Sequence, residues 1–215
     1  MPRGLFVTGT GTGVGKTVVC AAILHCYREA AQLRYWKPVQ TGIEQDDDNA
    51  EVRRLAECET APGIRLPRPV SPHLAARLSG VPIVLNDLNL PSPDEAIGWI
   101  VEGAGGALVP LNDTELMADL MRSLSLPVVI VARSELGTIN HTLLTLEALR
   151  ARKLCVAGVV MVGKPDRDNR EAIEHYGRVS VLGEMPLLDP LNAAAVRRWA
   201  VAELDPYGRL AEFFG

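Results

Sequence analysis

Leu5-Phe-Val-Thr-Gly-Thr-Gly-Thr-Gly-Val-Gly-Lys-Thr-Val18 is the stretch that decides the fold of this chain. An apolar run leads into a glycine-dense loop ending in Gly15-Lys16-Thr17, and an apolar-periodic helix follows. A triphosphate site needs that order. Glycines let backbone N–H groups close round phosphate oxygens, the helix N-terminus adds the positive end of its dipole, and Lys16 brings a mobile point charge. Thr17 offers a hydroxyl to a magnesium ion. The usual phosphate loop reads Gly-x-x-x-x-Gly-Lys-[Ser/Thr], whereas five residues lie between Gly9 and Gly15 here. The bland alternative is a β–α turn whose Lys16 merely faces solvent, and the strand–loop–helix context argues against it.

Composition bounds the class. The 215 residues are 47% hydrophobic and 22% charged, values of an ordinary globular chain, and the length suits a single α/β domain spanning 1–215. A net charge of −4 and a pI near 5.6 give no basic footprint for nucleic acid or an acidic membrane surface. No apolar run approaches the roughly 20 residues of a membrane span, and the N-terminus lacks the regions of a signal peptide, so a cytoplasmic location is expected. Cys20, Cys26, Cys58 and Cys155 have no metal-ligand spacing and read as small buried hydrophobes.

Strands alternate with helical patterns along the chain, which predicts right-handed crossovers and a mainly parallel sheet of about seven strands with helices on both faces. Strand one covers about Gly4 to Thr8, and the helix after Lys16 carries Val19, Ile23, Cys26 and Ala30 at three-to-four spacing. Arg34 to Val39 reads as strand two, its pairing ended by Pro38. Its C-terminal end delivers Lys37 and Thr41 to the edge where open parallel sheets bind ligands. Asp48 or Asn49 caps a helix reaching to about Cys58, and one of the carboxylates Asp46, Asp47 and Asp48 is a candidate metal ligand. Ala61 to Pro72 reads as loop. Ser71 then caps a short helix through Leu78 with Pro72 at its first position.

Pro82 to Pro93 is too punctuated by prolines for a long helix. Ala96 to Val101 is a buried strand ending in Glu102-Gly-Ala-Gly-Gly, which resembles a second, metal-coordinating nucleotide element more than an ordinary acidic turn. Thr114 caps a helix with Leu116, Met117, Leu120, Met121 and Leu124 on one side. Pro127 to Ala132 is the most strand-like run and leads to a helix with Ile139, Leu143, Leu146 and Leu149 inward. Gly137 and Thr138 place free N–H groups at its start, a candidate seat for a carboxylate, while His141 reads as a structural hydrogen-bonder. A strand from Cys155 to Val162, a helix near Asn169 to Tyr176, a strand near Val181 and two C-terminal helical stretches complete the pattern.

Together these motifs resemble those of the dethiobiotin synthetases. The residues that carry the resemblance are Val7-Thr-Gly-Thr-Gly-Thr-Gly-Val-Gly-Lys-Thr17, Lys37-Pro-Val-Gln-Thr-Gly42, Ser71-Pro-His73, Val101-Glu-Gly-Ala-Gly-Gly106, Leu136-Gly-Thr-Ile-Asn-His-Thr-Leu-Leu-Thr145 and Leu182-Gly-Glu-Met-Pro186. They fall in order, and the stretched loop spacing is itself a family feature. The resemblance implies a deviant P-loop fold, a homodimer, and the ATP- and magnesium-dependent closure of 7,8-diaminopelargonate and CO2 into dethiobiotin through a carbamate and a carbamic-phosphoric anhydride. It implies catalytic roles for Lys16 and Lys37 and a magnesium site at Thr17, Asp48 and Glu102. Nucleotide contacts would come from Thr12, Gly13, Val14, Gly15, Lys16, Thr17, Val18, Asp48, Glu102, Gly103, Ala104, Gly105, Val162, Gly163, Pro186, Leu187 and Leu188. Substrate contacts would come from Thr12, Lys37, Thr41 and Ser71, with the distal carboxylate on the Gly137-Thr138-Ile139-Asn140 turn of the other subunit.

Two departures from the family pattern bear on the nucleotide. An acid often stands at the Gly13 position, where this chain offers backbone alone. Asn-Asp often follows the strand near residue 160, where this chain has Val162-Gly163, leaving base selection loose or built from backbone groups at Pro186 to Leu188. A nucleotide-switched partitioning ATPase is the competing class, and it expects a second lysine within the loop and a basic docking surface; residues 9–15 hold no lysine and the net charge is acidic. A cobyrinate amidase-like ligase would need a glutaminase domain with a nucleophilic cysteine, for which 215 residues leave no room.

Overall fold

The computed structural model describes residues 3–92 and 94–215. Seven strands form one sheet in which every neighbouring pair is parallel. In chain order these are β1 (Gly4–Gly9), β2 (Gln32–Trp36), β4 (Thr60–Ala61), β6 (Ile97–Gly106), β7 (Val128–Arg133), β8 (Val156–Val162) and β9 (Val181–Met185). Their spatial order is β4-β2-β6-β1-β7-β8-β9, so β1 lies at the centre between β6 and β7. Two short strands, β3 (Val39–Thr41) and β5 (Ile64–Leu66), pair in parallel outside that sheet.

Alternation along the central strands divides the core in two, as a sheet covered on both faces requires. Leu5 and Val7 of β1 face α1 (Lys16–Tyr27), α2 (Asp48–Ala56) and α7 (Ala193–Glu203), where Ile23, Leu55 and Trp199 are buried. Phe6 faces the opposite layer, built on α3 (Pro72–Ser79), α4 (Met117–Leu124), α5 (Thr138–Arg150) and α6 (Arg167–Gly177). Buried Ala75, Leu120, Leu149 and Ile173 anchor that layer. Among the described residues no helix is long and apolar enough to cross a membrane.

Several elements differ from the sequence expectation for local reasons. Helix α1 is buried almost all round, because α7 and α2 both pack on it; its apolar face is therefore wider than the expected stripe, and Ala30 lies beyond its end. Strand β2 begins at Gln32, and Val39 belongs to β3, since Pro38 separates two different sheets. The 61–72 stretch is not all loop: it completes β4 and contains β5. Asp47, not Asp48 or Asn49, caps α2, its carboxylate accepting from the Ala50 N–H at 3.1 Å. Strand β6 runs on to Gly106, so Glu102 sits inside the strand and not at its end.

Thr114 does not cap α4. Asp119 reaches back to the Leu116 N–H at 2.9 Å, while Thr114 closes a local turn on Asn112. Only Cys20 of the four cysteines is buried, and Cys155 is exposed. The 82–92 segment carries a single turn of 3-10 helix at Leu85–Asp87 and buries Ile83 and Leu88; Pro93, the last residue of the proline-punctuated stretch, lies outside the described residues.

Candidate active site

The loop after β1 closes over the start of α1. Gly15 caps that helix with φ 99°, a left-handed conformation, and a Cβ there would press within 3.2 Å of Val162, so two constraints favour glycine. Lys16 is the first helical residue, and its ammonium folds back to donate to the Gly11 carbonyl at 3.0 Å, inside the loop it would serve. Thr12 and Gly13 are exposed on the crest, and Val14 is buried beneath it.

Strand order brings the rest together. The β2–β6 register sets Trp36 opposite Val101, so Lys37 emerges beside Glu102. Lys37 donates to Glu102 Oε1 at 2.7 Å and pairs with Asp48 Oδ2. Thr17 Oγ1 donates into the same group, 3.0 Å from Asp48 Oδ1 and 3.2 Å from Glu102 Oε1. Lys37 and Glu102 are 5% and 1% exposed, so each charge depends on the other for compensation. Burial works against the Lys37 ammonium, but Glu102 and Asp48 outweigh it and hold its pKa above the ordinary lysine value. Lys16 goes the other way: burial lowers its pKa, and the Lys37 charge lowers it further against the pull of Glu102.

One hydroxyl and two carboxylates converging within hydrogen-bond distance form a hard oxygen donor set, which fits magnesium bound together with substrate phosphates. Of the three adjacent aspartates only Asp48 joins this group. Asp47 is committed to the α2 cap and to Arg65, while Asp46 is exposed.

Two clefts flank the loop. A cleft of about 470 Å³ runs from Gly13, Val14, Gly15 and Val18 to Val162, Gly163, Pro186, Leu187 and Leu188, gathering most of the residues that the resemblance marks for the nucleotide. A second cleft, of about 340 Å³, lies between Gly9–Thr12, Gly106–Val109 and the α5 residues His141, Leu144 and Thr145. His141 is exposed on this cleft, and its ring makes no hydrogen bond among the described residues. Gly103 and Ala104 are buried within β6, and the bare side of Gly103 makes room for the Phe6 ring and Met117. The left-handed Gly105 lies beside the Thr12 hydroxyl. Thr41, Ser71 and the Gly137–Asn140 turn line neither cleft: Thr41 pairs with Leu66 in the small sheet, Ser71 opens α3, and the turn forms the start of α5.

A family model described as an AAA domain matches residues 3–195. The ATP-dependent dethiobiotin synthetase BioD of Paramagnetospirillum magneticum is 50% identical over 196 residues, covering 90% of this chain and 93% of that protein. The Brucella ovis protein of the same name is 47% identical over 192 residues, covering 87% and 88%.

This chain belongs to the dethiobiotin synthetase family.

The biotin biosynthesis bifunctional protein BioCD of Bordetella avium is 51% identical over 204 residues; the match covers 93% of this chain but 43% of that longer protein. The dethiobiotin synthetase fold seen here is that of the P-loop ATPases. The cell division ATPase MinD of Pyrococcus furiosus superposes with a TM-score of 0.59 over 99% of this chain and 98% of its own, at 17% identity.

Three residues around this candidate site escaped the motif reading. Tyr35 donates its phenol to Glu102 Oε2 at 2.8 Å. The signal was present: Tyr35 and Lys37 stand two apart, on one side of an extended chain. Arg133, at the end of β7, donates to the Gly13 carbonyl at 3.0 Å and lines the larger cleft. A charge ending an apolar strand at the sheet's ligand edge was the clue. Gln40 is buried and donates to the Asp46 carbonyl at 2.9 Å, tying down the approach to Asp48; a lone glutamine in a motif gives no such hint.

Proposed function

We propose that this protein is a homodimeric, magnesium-dependent ATP ligase that makes dethiobiotin from 7,8-diaminopelargonate and CO2. The observation that carries the mechanism is Lys37, a buried ammonium bound to Glu102 and Asp48 next to a phosphate loop whose own Lys16 is buried. In this reading one substrate amine adds to CO2 and the carbamate oxygen attacks the γ-phosphorus of ATP, releasing ADP. The second amine then attacks the carbamoyl carbon of the mixed anhydride and phosphate leaves. A carbamate oxygen needs little activation, so the work falls on positioning and charge neutralisation. Lys16 and Lys37 flank the reacting groups and stabilise the charge that develops between them. Magnesium, held by Thr17, Asp48 and Glu102, would neutralise the phosphate oxygens.

The larger cleft takes the nucleoside, with Val162, Gly163 and Pro186–Leu188 round the base and Gly13–Val18 round the phosphates. Thr12, Thr41 and Ser71 approach the substrate's reacting end, and Gly103–Gly105 back the phosphates. The Gly137–Asn140 turn of the partner subunit seats the distal carboxylate at a helix N-terminus. Exposed Leu136 and Leu144 beside that turn and Leu108 across the smaller cleft support a dimer interface there. A cytoplasmic enzyme is consistent with the acidic net charge and the substrates.

Phosphate release is the test. Turnover of ATP should require both diaminopelargonate and bicarbonate, and equal turnover without the diamine would overturn the ligase reading. Lys37→Ala should lower turnover by at least about 100-fold while nucleotide binding survives, as expected for a group acting on charge in the transition state. Near-normal turnover in that variant would remove Lys37 from the mechanism.

A further inference from the structure

A carboxylate turns about its terminal bond, and a buried one presents an oxygen in a fixed direction only when both oxygens are held. Glu102 is 1% exposed, and its oxygens have different partners. Oε1 accepts from Lys37 at 2.7 Å and from Thr17 at 3.2 Å; Oε2 accepts the Tyr35 phenol at 2.8 Å, and the buried Cys20 thiol also lies against the carboxylate. Tyr35 is fully buried in the layer beneath α1 and lines neither cleft, so it touches Glu102 without reaching either ligand space.

We propose that Tyr35 is a positioning residue: by binding Oε2 it fixes the Glu102 carboxylate so that Oε1 is presented to Thr17, Lys37 and the metal side of the site. The inference rests on the reading of Glu102 as a metal ligand given above. Removing the phenol oxygen takes the strong donor from Oε2 and leaves at most the weak Cys20 thiol beside it, so the group is then freer to rotate away from its partners. Tuning of a metal ligand by an outer hydrogen bond is worth roughly 10- to 100-fold in metal affinity.

The test compares Y35F, E102Q and the double variant in the full-length protein, measuring Mn2+ affinity in the presence of a saturating non-hydrolysable ATP analogue. Y35F should weaken Mn2+ binding about tenfold and raise the KM for metal to match, with kcat at saturating metal little changed. Its affinity for the nucleotide measured in EDTA should equal that of the parent. In the E102Q background, Tyr35→Phe should add nothing, because the path through the carboxylate is gone. Unchanged Mn2+ affinity in a folded Y35F, or a full additional loss in the E102Q background, overturns the proposal. If E102Q weakens Mn2+ binding and Y35F does not, the Tyr35 inference falls alone; if E102Q has no effect, the metal role of Glu102 falls and takes this inference with it. Should Y35F fail to fold, the neutral amide of the double variant no longer demands a charged-acceptor donor. Recovery of folding there supports the coupling, and failure there refutes it.

Discussion

Lys16 and Lys37 sit near each other in the same site, yet their surroundings push them in opposite directions. Lys37 has two carboxylates in direct contact to offset its burial, whereas Lys16, among the described residues, bonds directly to a backbone carbonyl and feels Glu102, Asp48 and a second ammonium from further off. For stability, the raised Lys37 pKa means its contribution is complete below the ordinary lysine value of 10.5 and disappears only as the pH rises through the higher folded one. The lowered Lys16 pKa has the opposite sign. Holding it charged costs stability at neutral pH, and that cost fades as the pH rises through its folded value. Activity should follow Lys16, the first of the two to lose its proton. The alkaline limb of kcat/KM for ATP, which reports the free enzyme, is therefore expected to fall with a midpoint below 10.5. A pH–rate profile checks this, and a limb at or above the ordinary lysine value would show that Lys16 does not set it. At this scale the residues of the candidate site were readable, because a lysine after a glycine loop and an acid within a buried apolar strand are both unusual. Tyr35 and Arg133 were less so, since a tyrosine in a strand and an arginine at its end are ordinary until the neighbour is known.

Elements decide how firmly those residues are held. Three-residue strands such as β3 and β5 have no period to detect, and the prolines around them read as loop. The pairing nevertheless seats Lys37. Ile64 donates to the Pro38 carbonyl at 2.8 Å, and Gly63 lies so close that a Cβ on it would fall 2.0 Å from the Lys37 carbonyl oxygen and 2.8 Å from that of Pro38. Those are backbone atoms, so they cannot yield as a flexible side chain would. Gly63→Ala should therefore displace the Lys37 segment and lower kcat by at least about tenfold, since a shift of about 1 Å in a positioned group can cost about 100-fold. The overpacking should also remove roughly 1–3 kcal/mol of stability. Steady-state phosphate release and thermal unfolding read the two effects separately; a variant with parental kcat would mean that β5 does not set the Lys37 position. Helix α2 follows the same logic from the other side, because its Asp47 cap also pairs with Arg65 of β5 and so fixes where Asp48 starts.

At the scale of the whole molecule, alternation of strands and helices was legible, but strand order was not. Nothing in the spacing of Lys37 and Glu102 says that β6 inserts between β2 and β1, and that insertion is what makes them neighbours. Assembly lies a step further out. If the Gly137–Asn140 turn serves the partner's site, two variants defective for different reasons should repair each other. Lys37→Ala removes the buried ammonium from a protomer's own site, while Asn140→Asp sets a like charge against the substrate carboxylate in its partner's. In a mixed dimer one site combines both defects and the other combines neither. Random assembly makes about half the dimers mixed, so about a quarter of all sites are intact, and activity should return to about a quarter of the parental value on co-refolding. Sedimentation of each pure variant must first show parental assembly, so that lost activity is not lost dimerisation. If the mixture stays as inactive as its components, each site is complete within one protomer, and the exposed leucines round α5 need another explanation.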